Sequence, residues 1–78
     1  MTLGEKLKEA RKQTCLSQEQ LSEKLGVSRS AVAKWETDNG IPDIDNLKAI
    51  SKLLNVSLDY LLDDAEATDI SVVREPYN

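Results

Sequence analysis

The chain has 78 residues, enough for one small domain, and its 40% hydrophobic and 31% charged residues are ordinary for a globular protein. The single cysteine, Cys15, excludes an intrachain disulfide, whereas a secreted domain this small usually needs several; we expect Cys15 to be a small buried side chain at a helix end. No apolar run approaches the roughly 18 residues of a membrane span, and charges interrupt the N-terminus where a signal peptide would be apolar. The sequence therefore predicts a cytoplasmic protein without a membrane partner.

The net charge of −4 is unevenly distributed along the chain. Residues 1–36 hold seven Lys and Arg against five acidic residues, a balance of +2, whereas residues 37–78 hold three against nine, a balance of −6. A polyanion is therefore expected to dock only on the first half of the chain.

Three helices are predicted in the first half from capping signals followed by apolar residues at helical spacing. Thr2 and Ser17 each begin a capping box, with a Glu or Gln three residues later, and open the first and second helices. Gly26 ends the second helix, and Ser28 caps the third. The side chains expected to face the core are Leu3, Leu7, Ala10, Leu21, Leu25, Val32 and Trp35.

Two more helices are predicted in the second half, after a loop rich in Asp, Asn, Gly and Pro. Asp43 caps the fourth helix and Asn55 ends it, and Ser57 caps a short fifth helix. We assign residues 1–63 to the folded domain and the polar, aperiodic residues 64–78 to a C-terminal tail or linker. The apolar positions of these two helices are Leu47, Ile50, Leu53, Leu54, Leu58, Leu61 and Leu62, and Tyr60 is expected to be half-buried.

The connection between the second and third helices is the main functional signal. Because only Gly26, Val27 and Ser28 separate the two helices, they are expected to cross steeply, and the small Ser22 suits their close approach. The outer face of the third helix is cationic and otherwise small, which suits the major groove of DNA. That face consists of Arg29, Ser30, Ala33 and Lys34.

The stretch SQEQLSEKLGVSRSAVAKWE, followed by IPDIDNLKAISKLLNVSLDYLL, resembles the phage-repressor and Cro-like helix-turn-helix family, also called the XRE family. The resemblance covers about residues 3–63 and includes leucines, caps, glycine and helix lengths. It implies an all-α, five-helix lambda-repressor-like DNA-binding domain with a central helix-turn-helix, whose third helix, at about residues 28–36, enters the major groove.

The resemblance also implies roles for individual residues. Gln18, at the start of the second helix, matches a phosphate-anchoring glutamine, and Arg29 is the best candidate for reading a base, with guanine as its partner. Arg11 and Glu36 match a structural ion pair between the first and third helices. The sequence departs from the family pattern in the loop after the third helix, where Asp38 is expected to repel a phosphate. The full set of DNA-binding candidates is Gln18, Ser28, Arg29, Ser30, Lys34 and Asn39.

These observations predict a sequence-specific transcriptional regulator, a repressor that binds a palindromic double-stranded operator as a homodimer. Two alternatives stay open: a protein-interaction module of the same fold with little DNA affinity, and an antitoxin-type regulator. Arg29 and Lys34 could also be a solvated helix face without a ligand. If the chain continues beyond Asn78, a C-terminal sensor domain is expected there.

An enzyme is not expected, because the sequence has no histidine and no glycine-rich phosphate loop, and Cys15 has no base near it in sequence. No cofactor is expected. The aspartates of the second half have no calcium-loop spacing, so no metal ion is expected either; two of them suit helix caps or first turns.

Overall fold

The computed structural model describes residues 1–63, which form five α-helices and no strand. The all-α, five-helix prediction is confirmed. The predicted tail, residues 64–78, lies outside the described residues. The helices are α1 (Leu3–Gln13), α2 (Gln18–Leu25), α3 (Arg29–Glu36), α4 (Ile44–Leu54) and α5 (Leu58–Leu62).

Each helix begins at a residue whose side-chain oxygen accepts a hydrogen bond from a backbone N–H of the first turn, as the sequence predicts. Both capping boxes are complete, because the side chains of Glu5 and Gln20 also accept from the backbone N–H of their caps. Such caps satisfy N–H groups that have no partner within the helix and stabilise it by about 1 kcal/mol each. The caps are Thr2, Ser17, Ser28, Asp43 and Ser57.

The helix ends agree with the sequence prediction at two positions and differ at a third. Gly26 and Asn55 end α2 and α4 in the left-handed conformation, with φ of 74° and 58°. Cys15 also has a positive φ, of 62°, and its side chain is exposed. The prediction of a buried Cys15 is wrong, because this residue forms the left-handed turn that ends α1, and the turn directs its side chain to solvent.

One hydrophobic core joins the five helices. Its buried members are Leu7, Ala10, Leu21, Val32, Trp35, Leu47, Ile50, Leu54 and Leu61. Trp35 is 8% exposed and lies in this core, as predicted, whereas Leu53 is 38% exposed and does not. Because α3 contributes Val32 and Trp35 to the core, its opposite side is left free for a ligand.

A lysine that sequence reasoning did not single out holds the short helix α5 against α1. Lys6 is buried, and its ammonium donates hydrogen bonds to the carbonyl oxygens of Tyr60, at 2.9 Å, and of Asp63. The ammonium also lies 5.2 Å from the centre of the Tyr60 ring, within the range of a cation–π interaction. These contacts give carbonyls at the end of α5 partners that the helix itself cannot supply. Tyr60 is 40% exposed, close to the predicted half-burial.

Among residues 1–63, no helix is both long and apolar enough to cross a membrane.

Candidate nucleic-acid interface

The turn between α2 and α3 is built from local hydrogen bonds. The left-handed Gly26 lets the chain reverse, and the backbone N–H of Val27 donates to the carbonyl of Ser22 at 3.0 Å. Ser22 is buried, and its hydroxyl donates to the Glu19 carbonyl at 2.7 Å. The small buried Ser22 is what the sequence predicts at the point where two helices approach closely.

The outward side of α3 presents polar and cationic side chains to solvent. Arg29, Ser30 and Lys34 are exposed, and Ala33 is half-buried between them. The hydroxyl oxygens of Ser28 and Ser30 lie 3.2 Å apart at the start of the helix. Within residues 1–63 the only ion pair joins Arg11 and Glu36. Arg29 and Lys34 therefore have no acidic partner there, and their charges are available to an anion.

The start of α2 lies beside the start of α3. A shallow cleft of about 340 Å³ is lined by Arg11, Ser17, Gln18, Glu19 and Arg29. The N-terminal end of α2, which carries a partial positive charge, the Arg29 guanidinium and the Gln18 amide suit a phosphate, whereas the Glu19 carboxylate at the same cleft opposes one. The cleft therefore brings two of the sequence-predicted site residues, Gln18 and Arg29, onto one surface.

Arg11 and Glu36 form a buried ion pair between α1 and α3. The Arg11 Nε donates to Glu36 Oε2 at 2.5 Å, and its Nη2 donates to Oε1 at 3.1 Å. The remaining guanidinium nitrogen, Nη1, donates to the Leu16 carbonyl at 2.8 Å. Glu36 Oε1 also accepts a hydrogen bond from the Gln18 Nε2 at 3.0 Å, a contact that the sequence does not reveal.

The loop after α3 contacts α1, which its sequence interpretation does not include. Asp38 has a φ of 62°, and its carboxylate accepts hydrogen bonds from the Thr2 hydroxyl at 2.7 Å and from the Gly4 backbone N–H at 3.0 Å. Asp38 therefore has a structural role as well, because its carboxylate lies at the positive end of α1; its expected repulsion of a phosphate stays a prediction. Asn39 is exposed and stays a candidate contact; its Nδ2 donates to the Thr37 hydroxyl at 2.9 Å.

Gly4 explains why α1 can approach this loop so closely. A Cβ at this position would lie 2.5 Å from the Trp35 carbonyl oxygen and 2.8 Å from both Asp38 Oδ1 and the Glu36 carbonyl oxygen. Only a residue without a side chain fits there. Sequence reasoning missed the contact between Gly4 and Asp38, because it joins segments 34 residues apart.

Comparison with known proteins identifies the family of the chain. Residues 7–61 match the sequence profile of the family described as "Helix-turn-helix". The whole chain is 47% identical to the HTH-type transcriptional activator BcrR of Enterococcus faecalis and spans 38% of that protein. Over 60 residues, 77% of the chain, it is 40% identical to repressor protein C2 of Salmonella phage P22, of which it spans 28%.

Two solved structures have the same fold. The P22 c2 repressor in complex with a synthetic operator superimposes with a TM-score of 0.77 and 38% identity, covering 81% of this chain and 96% of that one. The biofilm regulator SinR in complex with DNA superimposes with a TM-score of 0.73 and 35% identity, covering 80% of this chain and all of that one. The chain spans only about half, or less, of the length of relatives such as BcrR and the regulator ImmR of Bacillus subtilis. The chain therefore belongs to the helix-turn-helix family of phage repressors and XRE-type transcriptional regulators.

Proposed function

We propose that the chain is the DNA-binding part of a sequence-specific transcriptional regulator, which works in the cytoplasm and binds its operator with α3 in the major groove. The observation that carries this proposal is the combination of an exposed, unpaired cationic face on α3 with the cleft at the start of α2. One surface then supplies both kinds of contact that a DNA reader needs, side chains for base edges and donors for phosphates.

The positions of the site residues indicate which of them contact bases and which contact phosphates. Arg29 and Ser30 lie in the first turn of α3, the end that in this docking geometry reaches the bases, so they are assigned to base readout. A bidentate arginine–guanine pair is worth about 1–3 kcal/mol of discrimination against the wrong base. Lys34 lies one turn further on and, like Gln18 and Asn39, is assigned to phosphates.

A homodimer on a palindromic operator is part of the same proposal. Arg29 and Lys34 supply few cations for one domain, and few phosphate contacts give a modest, salt-sensitive affinity. The side chains of Ile44 on α4 and Leu62 on α5 are 51% and 52% exposed, which makes the C-terminal helices the best candidate surface for a second copy. Two copies would place their third helices in half-sites about one helical turn apart.

Repression is the mode of regulation that we favour, since a domain bound across a promoter blocks polymerase without any further contact. Repressor protein C2 of phage P22 and the immunity repressor of Bacillus phage phi105 are both relatives, whereas BcrR is named an activator. Transcription from a promoter that carries the operator, with and without the purified protein, tests this assignment. Increased transcription would identify an activator.

Selection from a random DNA library, followed by titration of the winning duplex at several salt concentrations, tests the proposal. We expect the selected sequence to be palindromic, to be bound clearly more tightly than random DNA and to lose affinity steeply as the salt concentration rises. Recovery of no sequence, under conditions in which a known helix-turn-helix domain recovers its operator, would contradict it.

A protein-interaction module is the second candidate function. A structure of SinR in complex with the protein SinI also superimposes on this chain, with a TM-score of 0.73 and 28% identity. The exposed apolar side chains of α4 and α5, beside acidic residues such as Asp45 and Asp59, favour a protein partner there. A partner that binds these helices in the absence of DNA, together with a failed library selection, would support this function over the first.

A further inference from the structure

Glu36 receives hydrogen bonds from two helices other than its own. Two nitrogens of Arg11 on α1 and the amide nitrogen of Gln18 on α2 all donate to its carboxylate. Glu36 is 6% exposed, so this carboxylate depends on these partners rather than on water. The ion pair with Arg11 accounts for the burial of the Glu36 charge, but it does not explain why Gln18 takes part.

The contact determines which way the Gln18 amide faces. An ionised carboxylate only accepts hydrogen bonds, so the NH₂ group of the amide must point towards Glu36, since the reversed amide would bring two oxygens together. One N–H of Gln18 is then committed to Glu36 Oε1 at 3.0 Å. The second N–H is left for the half-buried outer side of the residue, in the cleft that Arg29 also lines.

We infer that Glu36 is a positioning residue for DNA binding, which holds the Gln18 amide so that its free N–H meets a phosphate oxygen. This inference rests on the proposed function. A phosphate oxygen is an acceptor, so an amide that presents its own oxygen cannot bind it. An anchored amide also loses less rotamer freedom on binding than a free glutamine does. Arg11 offsets the charge of Glu36, so the carboxylate can orient the amide without repelling the phosphate.

A comparison of the same substitution in different backgrounds tests the inference on the operator duplex that the wild-type protein selects. In the wild-type chain, we expect Gln18→Ala to weaken binding by about tenfold or more, as for the loss of a hydrogen bond to a charged group. In an Arg11→Met/Glu36→Met background, we expect the same substitution to weaken binding by about threefold or less. Replacing both members of a buried ion pair with apolar residues of similar size commonly preserves folding.

A matched control separates positioning from a structural effect. Gln13 is a matched glutamine, because its amide donates to Glu9 at 3.3 Å on a part of α1 that faces α5. Gln13→Ala should leave operator affinity unchanged in every background.

Nuclear magnetic resonance of the full chain without DNA reports on the orientation independently. We expect one Gln18 side-chain amide proton to be shifted from its free-glutamine position and to exchange slowly with water, and both protons to return to free-glutamine values in the Arg11→Met/Glu36→Met chain. An equal cost of Gln18→Ala in both backgrounds, or a free amide in the wild type, would overturn the inference while leaving operator binding intact. If the wild-type chain selects no operator, the proposed function fails first and this inference fails with it.

Discussion

Replacing Gly4 by alanine separates two opposite expectations. Helix propensity alone predicts that Gly4→Ala stabilises α1 by about 0.5–1 kcal/mol. The structure predicts the reverse, because the new Cβ would lie 2.5 Å from the Trp35 carbonyl oxygen and 2.8 Å from that of Glu36. Both oxygens belong to the backbone at the end of α3, so neither can move aside as a flexible side chain would.

The expected net effect is a loss of about 2 kcal/mol. Overpacking of this kind costs about 1–3 kcal/mol, and three contacts shorter than 3.0 Å favour the upper end, from which the propensity gain is subtracted. For a domain of this size, that loss lowers the melting temperature by about 8–16 °C. Urea denaturation followed by far-UV circular dichroism measures it in the full chain.

Gly40→Ala is the matched control for Gly4→Ala. A Cβ at Gly40 would lie 3.6 Å from the Trp35 ring and 3.7 Å from the Lys34 Cβ, which are ordinary contact distances. This substitution should therefore be neutral or stabilise the protein by about 0.4–1 kcal/mol through the unfolded state. If Gly4→Ala proves as stable as Gly40→Ala, the close approach of α1 to the end of α3 does not exist in solution.

Three further predictions concern single side chains. Arg29→Ala should relax the operator choice at one position per half-site by about 1–3 kcal/mol, and a repeated library selection with an unchanged consensus would remove Arg29 from base readout. Asp38→Asn should lower the free energy of unfolding by about 0.3–1 kcal/mol, because the charge at the start of α1 is lost. That deficit should shrink in high salt, so a salt-independent deficit would point to another cause. Lys6→Met should lower the free energy of unfolding by about 1–3 kcal/mol, because the carbonyls of Tyr60 and Asp63 lose their donor. Urea denaturation that gives the wild-type free energy would contradict a stabilising role for these two hydrogen bonds.

The local features of the fold could be predicted from the sequence because their signals lie within a few residues of one another. The capping box of Ser17 with Gln20 spans one helical turn, and the left-handed Gly26 ends α2 within the same short segment. The burial of Val32 and Trp35 follows from their spacing on α3. Such signals determine where helices begin, where they end and which side faces the core.

The contacts that the sequence did not reveal all join distant segments through hydrogen bonds of common side chains. Asp38 and Gly4 meet only because α1 packs on the end of α3, and a loop aspartate has many other roles in proteins. The prediction that Cys15 is buried failed for a related reason, since its burial depended on whether the turn after α1 is left-handed. Asparagine or glycine would have signalled that conformation, whereas cysteine does not.

The same contacts restrict the motion of α3 relative to the rest of the domain. The end of α3 is tied to α1 at Glu36, through Arg11, and two residues later at Asp38, through the first turn of α1. The same Glu36 carboxylate also accepts a hydrogen bond from Gln18 on α2, so α1, α2 and α3 meet at one buried acid. Under the proposed function, a domain with few cations gains from this rigidity, because less conformational freedom is lost when each weak contact forms. Two such domains, joined at their C-terminal helices, could then combine modest half-site affinities into one specific complex, since the second domain binds at a high effective concentration once the first has bound.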